Sequence, residues 1–303
     1  MNATKKDLTV GNYPVDCAQC LLCASEKLRF LRKEEKNGAI YTIVQCCCCD
    51  VIQTLEHHDS VSPDYVNLDV DKIDAGRIWC QGQHKLRAYR QWWKSARKLM
   101  GTIEHNAKVL DIGCGTGGFL RFARDKGFTV FGFDASCAQV EYAQKDFPNV
   151  RQAISPTKYL EQINQLDLRF DFVVLWDVLE HIRNPLQFLK EVKFILRPGG
   201  FLFASVPNGH AMLLKHHIYS FIHKPFSFHP WEHVFYYSPS SLAHYLNKSG
   251  YDTVRSSTVA CYPRPLSVFE AIRRAGFLSL KFIPAFAPQI SIWSKTSSDS
   301  QKS

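Results

Sequence analysis

Asp111 and Asp134 bracket the stretch of this sequence best equipped to hold a small charged ligand. Between them, Val109-Leu-Asp-Ile-Gly-Cys-Gly-Thr-Gly-Gly-Phe-Leu120 passes from an apolar run, through glycines, into a helix-like segment. Glycine lets the backbone turn sharply and approach a ligand closely, and the start of a helix offers free amide donors. Gly113, Gly115 and Gly118 satisfy the GxGxxG spacing of dinucleotide sites. Asp111, two residues ahead of the first glycine, points elsewhere: a carboxylate there repels a pyrophosphate and suits an ammonium group. Asp134 closes the run Thr129-Val-Phe-Gly-Phe-Asp134, where an acid can accept both hydroxyls of a ribose. Nicotinamide enzymes share that second acid, so it does not separate the two readings.

A second set of residues could handle protons. Glu180-His181 directly follows the apolar run Phe170–Trp176, and His233 and Tyr237 lie in His229-Pro-Trp-Glu-His-Val-Phe-Tyr-Tyr-Ser238. An imidazole with a pKa near ~6.5 suits base catalysis, which is needed only if the acceptor must lose a proton. The plainer alternatives are a His181 that fixes a loop and a His233 that packs a lid of aromatics. Trp176 and Asp177 are expected to shape the pocket.

The third set is sulfur. Seven of the eleven cysteines fall between Cys17 and Cys49. Cys20-x2-Cys23 and Cys46-x2-Cys49 form two hooks that could place four thiolates tetrahedrally around a structural Zn2+. Such small modules depend on metal to fold. Ala24 and Asp50 stand where a glycine usually follows each hook, Cys17-x2-Cys20 is a competing pair, and reactive thiols or an iron–sulfur cluster are further readings.

The elements that must position these groups follow from the apolar pattern. After Gly101, short apolar runs alternate with helical stretches: 108–112 then 117–126, 129–133 then 136–146, 170–176 then 185–196, and 200–206. Buried runs separated by helices predict parallel strands with helices on both faces, an α/β sheet. Residues 210–240 break this pattern, helix 239–249 and strand 251–259 follow, and Gln289–Trp293 reads as a last strand. Ahead of the sheet, Arg77–Met100 has a helical rhythm and Ala39–Val44 reads as a strand. The divisions are a leader and Cys-rich module over 1–60, a connector and helical lead-in over 61–100, an α/β domain over 101–294 with aromatic insertions at 210–240 and 260–288, and a disordered tail over 295–303.

In this order and spacing, residues 109–118, Asp134, Phe170–Ile182 and Leu196-Arg-Pro-Gly-Gly-Phe-Leu202 resemble the class I S-adenosylmethionine methyltransferases, over about residues 100–260. The resemblance implies a Rossmann-like, mostly parallel sheet. It also implies S-adenosyl-L-methionine contacts from Asp111, Gly113, Cys114, Gly115, Gly117, Asp134, Ala135, Trp176 and Asp177. Where that family often carries an acid beside the adenine, this chain has Ile154. The run Glu-His-Val-Phe-Tyr-Tyr-Ser resembles an element of small-molecule methyltransferases, including sugar C-methyltransferases. That likeness implies His233 as base and Tyr237 as an acceptor contact, and in the wider family the pair matching Glu180-His181 caps the strand near the cofactor and acceptor, which makes His181 a second candidate. The cysteine module is similar to the zinc-binding front of some bacterial small-molecule methyltransferases, and places Tyr65 in a connector reaching the acceptor. The core also resembles the ubiquinone-biosynthetic O-methyltransferases.

Composition narrows the rest. Of 303 residues, 46% are hydrophobic and 21% charged, an ordinary globular balance, and the net charge of +9 is not gathered into any basic run that would mark nucleic-acid binding. No secretory leader and no apolar run of membrane-spanning length is evident, so reduced thiols in the cytoplasm are expected. Met212–Phe228 and Val268–Phe286 mix apolar with basic residues. They read as cover for an acceptor cleft, with peripheral membrane contact as the alternative. The expected activity is methyl transfer to O or C of a small molecule. A cofactor-binding scaffold without turnover and a nicotinamide oxidoreductase are the competing readings.

Overall fold

The computed structural model describes residues 9–10, 13–14, 18–55, 83–101, 103–259 and 289–296. Cys17, Tyr65, the segment 260–288 and the tail beyond Thr296 lie outside the described residues; Lys295 and Thr296, expected to begin a disordered tail, belong instead to the last strand, Gln289–Thr296.

A seven-stranded sheet carries the molecule. Its strands are β4 (Lys108–Ile112), β5 (Thr129–Asp134), β6 (Val150–Gln152), β7 (Phe170–Trp176), β8 (Leu196–Pro207), β10 (Tyr251–Val259) and β11 (Gln289–Thr296). They lie in the order β10-β11-β8-β7-β4-β5-β6. From β8 across to β6 the strands are parallel, whereas β11 runs antiparallel to both β8 and β10. β7 is buried at five of its seven positions, as expected for a central strand covered on both faces. The chain winds outward from β4 in both directions, so a crevice opens at the carboxyl ends of β4, β5 and β7, where ligands of such sheets bind.

The helices follow local rules. α5 (Pro185–Ile195) begins with Asn184 accepting from the Gln187 amide and a proline in its first turn, and buries Phe188, Leu189, Val192 and Ile195, an i, i+1, i+4, i+7 stripe. α7 (Pro239–Lys248) starts with a reciprocal capping box between Ser238 and Ser241. α1 (Gln83–Met100) lays Tyr89, Trp92 and Ala96 against the sheet, where Trp92 stacks on Trp293 at 5.6 Å.

The N-terminal module is a second sheet. The anticipated strand Ala39–Val44 is β2 (Ala39–Cys46), joined to β1 (Leu28–Lys36) and β3 (Ile52–Thr54). The β1–β2 hairpin turns on Asn37 and Gly38, with φ of 52° and 78°, the primed geometry that Asn-Gly favours. A fourth strand comes from far along the chain. The region 210–240, expected only to interrupt the pattern, forms α6 (Gly209–Phe221) and then β9 (Phe235–Tyr236), which pairs antiparallel with β3. The module also shares one apolar core with the large sheet: Cys20, Leu22, Cys46 and Val51 pack in the same cluster as Leu110, Val173, Tyr237 and Leu246.

Among the described residues, no helix is long and apolar enough to cross a membrane.

Candidate active site and thiolate centre

The glycine loop between β4 and α2 (Gly118–Arg124) is held in a conformation that side chains resist. Gly113, Gly115 and Gly117 all have positive φ, at 71°, 52° and 80°. A methyl group on Gly113 would come within 2.5 Å of Val178 Cγ2. The Gly113 and Cys114 amides donate to the Phe133 carbonyl, which leaves the loop wrapped over the end of β5. Cys114 turns its side chain down into a cluster with Leu120, Val140 and Phe147, so only its backbone faces a ligand.

Asp111 is 2% exposed and its Oδ1 has no hydrogen-bond partner. Burial, reinforced by the nearby Asp134 carboxylate and opposed by Lys85, pushes its carboxyl well above the usual range. A buried carboxyl left short of partners is costly, and a cation relieves it. Asp134 is fixed at both oxygens: Gly115 N donates to Oδ2 at 2.8 Å and Ser136 N to Oδ1 at 2.9 Å. Each carboxylate oxygen can accept more than one bond, so ribose hydroxyls could still be received there. The Ala135 carbonyl takes a bond from Gln152 Nε2. Ile154, which stands where an acid was missing from the sequence pattern, is 53% exposed.

Trp176 and Asp177 tie neighbouring elements together. The Trp176 ring packs 5.2 Å from Tyr89 and 4.6 Å from Phe203, which seats α1 on the sheet. Asp177, at φ 55°, pairs with Lys85 Nζ at 2.7 Å and accepts from Gln289 Nε2 at 2.6 Å. The sequence singled out neither Lys85 nor Gln289, since their separation along the chain carries no motif.

The two histidines meet. His181 and His233 have ring centroids 4.9 Å apart, and Glu180, His181 and His233 each bring a ligating atom within 4.8 Å of the others. Two reciprocal bonds clip their segments together: His181 Nδ1 donates to the Glu232 carbonyl at 2.6 Å, and Val234 N donates to the Glu180 carbonyl at 2.9 Å. Burial lowers the His181 pKa. Glu180 is fully buried, neither carboxyl oxygen has a partner, and burial with the Asp177 carboxylate nearby raises its pKa well above the usual range. Tyr237 is fully buried and its hydroxyl donates to the Leu179 carbonyl at 3.5 Å, while the neighbouring Tyr236 hydroxyl lies 3.2 Å from His233 Nδ1. Burial keeps the Tyr236 phenol protonated by raising its pKa.

The four cysteines converge. Cys20 and Cys49 sulfurs are 3.6 Å apart, those of Cys23 and Cys46 3.5 Å apart, and all four lie within 4.8 Å of one another. A tetrahedral ion with Zn–S bonds of ~2.3 Å sets its sulfurs about 3.8 Å apart, so the spacing fits a shared Zn2+ and is far from a disulfide's ~2.05 Å. The hooks are twins. Ala24 N donates to the Cys20 carbonyl and Asp50 N to that of Cys46, and both residues adopt the left-handed φ for which glycine was missing, 58° and 63°.

Residues 83–256 match the model of a family described as a methyltransferase domain. The chain belongs to that family. Its domain is a class I S-adenosylmethionine-dependent methyltransferase domain, with which the sheet and glycine loop agree. Among curated relatives, the ubiquinone biosynthesis O-methyltransferase of Histophilus somni is 34% identical over 108 residues, 33% of this chain and 45% of the relative. That of Cereibacter sphaeroides is 28% identical over 152 residues, 48% of this chain and 61% of the relative. The chain thus spans about half the length of the curated relatives it matches. Of solved structures, a SAM-dependent methyltransferase from Archaeoglobus fulgidus is 20% identical with a TM-score of 0.50, covering 75% of this chain and all of the other. The plantazolicin methyltransferase BpumL, solved with SAH, is 14% identical with a TM-score of 0.51, covering 76% and 92%. At these identities the likeness is one of fold.

Proposed function

We propose that this methyltransferase domain transfers the methyl group of S-adenosylmethionine to an oxygen or carbon of a small-molecule acceptor, and that the four-cysteine centre holds a structural Zn2+. The observation that carries the reading is the unpartnered Asp111 Oδ1 beneath the glycine loop. With Asp134, Asp177 and Glu180 nearby and Lys85 as the ammonium among them, the pocket is rich in carboxyls. That balance suits a cofactor bearing an ammonium and a sulfonium and opposes a pyrophosphate. The bound cofactor would supply an activated methyl group. The chain's own tasks are then to anchor it through Asp111 and Asp134, to align the acceptor, and to take up a proton where the acceptor must lose one. His181 suits that last task, because its Nδ1 proton is committed to the Glu232 carbonyl and its lone pair therefore sits on Nε2. Tyr236 holds the second imidazole, that of His233. Four thiolates leave no open coordination position, so the metal would be structural.

The acceptor classes supported are a lipid-like aromatic, from the names of the partial relatives, and a sugar or natural-product intermediate, from the Glu232–Ser238 segment. Calorimetric titration of the zinc-replete protein with S-adenosylmethionine, S-adenosylhomocysteine and NAD(P)H tests the cofactor. Micromolar binding of the first two, lost in Asp111→Ala, is expected; binding of NAD(P)H alone would sink the reading. An acceptor screen read by S-adenosylhomocysteine production then separates an enzyme from a non-catalytic scaffold.

A further inference from the structure

We propose that the thiolate module is the positioning device for His233, and that it acts through two consecutive side chains on β3, Gln53 and Thr54. This rests on the proposed zinc site and on the proposed role of His181 at the acceptor, against which the His233 ring packs.

β3 is the strand on which both hooks converge. The second hook runs straight into it: Cys46 N donates to the Val51 carbonyl, one residue before β3 begins. The first hook is tied by Gln53, which is fully buried. Its Oε1 accepts from Leu21 N at 2.9 Å, inside the Cys20–Cys23 turn, and its Nε2 donates to the Gln19 carbonyl at 3.1 Å. Both ends of one amide are therefore spent on holding the hook, a complete use of a buried polar group. The opposite edge of β3 faces the methyltransferase segment. Gln53 pairs with Phe235 and Ile52 with Tyr236. Thr54, also fully buried, donates its amide to the Val234 carbonyl at 3.0 Å and its hydroxyl to the His233 carbonyl at 3.3 Å.

The same sheet grips the other end of the segment. Glu34 on β1 accepts from Phe228 N at 2.9 Å and from Ser227 Oγ, and Arg32 Nη1 donates to the Phe226 carbonyl at 2.7 Å. Residues 229–233 are thus strung between two anchors that both belong to the module. A strand of three residues has little stability alone, and small zinc modules lose their fold without metal. Loss of the ion would free β3, and with it the backbone of His233. The glycine loop rests on β4 and β5 and would stay formed. Gln53 and Thr54 are positioning residues, since neither reaches the reacting atoms.

The test uses the full-length protein, with zinc content, S-adenosylhomocysteine binding and the His233 imidazole each measured. The imidazole is followed by NMR of histidine-labelled protein and assigned with His233→Gln. Zinc content comes first: a chain without zinc overturns the four-thiolate reading and this proposal together, whereas zinc with an unmoved His233 overturns the coupling alone. In Gln53→Leu and Thr54→Val, zinc is expected at one ion per chain and cofactor-product affinity within about twofold of the parent. The His233 resonance should shift and broaden. Thr54→Ser, which restores the hydroxyl, should return His233 to its original state. Chelation of zinc should reproduce the shift with S-adenosylhomocysteine binding retained. A His233 signal unchanged in both variants refutes the proposal. So does parallel loss of S-adenosylhomocysteine binding in Thr54→Val, because the effect is then global unfolding.

Discussion

His181 Nδ1 lies 2.6 Å from the carbonyl oxygen of Glu232. A carbonyl can only accept, so the neutral ring carries its proton on Nδ1 and its lone pair on Nε2. Burial favours the neutral form by lowering the pKa below the ordinary 6.5. For an acceptor that must lose a proton, the acid limb of kcat is therefore expected below pH 6.5, with activity rising with pH as the imidazole deprotonates. His181→Gln should lower kcat by roughly 10²–10⁴-fold. A limb above pH 6.5 that persists in the variant would assign it to another group.

Asp111→Asn should separate stability from binding. The wild-type carboxyl is raised by burial, so the folded state holds a proton that the unfolded chain has released. That contribution to stability is present at pH below the unfolded pKa of ~3.9 and is lost as pH rises through the folded value. The neutral amide escapes this penalty. Thermal melts of the cofactor-free protein should therefore show the variant gaining more at about pH 8 than at about pH 4. Affinity for S-adenosylmethionine should fall by roughly 10–100-fold, the worth of a charged hydrogen bond of about 1.5–3 kcal/mol.

Gly113→Ala meets two obstacles. Its φ of 71° is disfavoured for a side chain by roughly 1–2 kcal/mol, and the new methyl would sit 2.5 Å from Val178 Cγ2. Together with overpacking of about 1–3 kcal/mol, the loss should be roughly 2–5 kcal/mol in chemical denaturation. Adding Val178→Ala should recover only the steric share. Full recovery would mean that the backbone conformation costs nothing.

Lys85→Met removes the ammonium that faces Asp177. The Lys85 side chain is 8% exposed and that of Asp177 26%. The loss should approach but not reach the ~3–5 kcal/mol of a fully buried broken pair, so about 2–3 kcal/mol by urea titration. Lys85→Arg should restore part of it. A neutral outcome for the methionine variant would show that the other partners of Asp177, Gln289 among them, suffice to hold it.

Much of this protein was legible in its residues alone. Local chemistry decided the glycine loop, because a ligand-hugging turn needs glycines ahead of a helix and an acid at the strand end. The two cysteine hooks were equally visible, since a tetrahedral centre imposes short fixed spacings. The alternation of apolar runs and helices was enough for a parallel sheet. The hairpin at Asn37-Gly38 was not read from the sequence, because the charged run Arg32–Lys36 hides the strand before it, as exposed edge strands lack an apolar signature. Long-range pairing was beyond the sequence. Lys85 meets Asp177 across 92 positions, and Thr54 meets His233 across 179. The second of these depends on which edge of β3 receives β9, a choice set by burial of the whole module against the sheet. The same packing turned Tyr237 inward and brought Tyr236 to His233. Adjacent residues on a strand face opposite sides, and only the tertiary structure determined which side held the histidine.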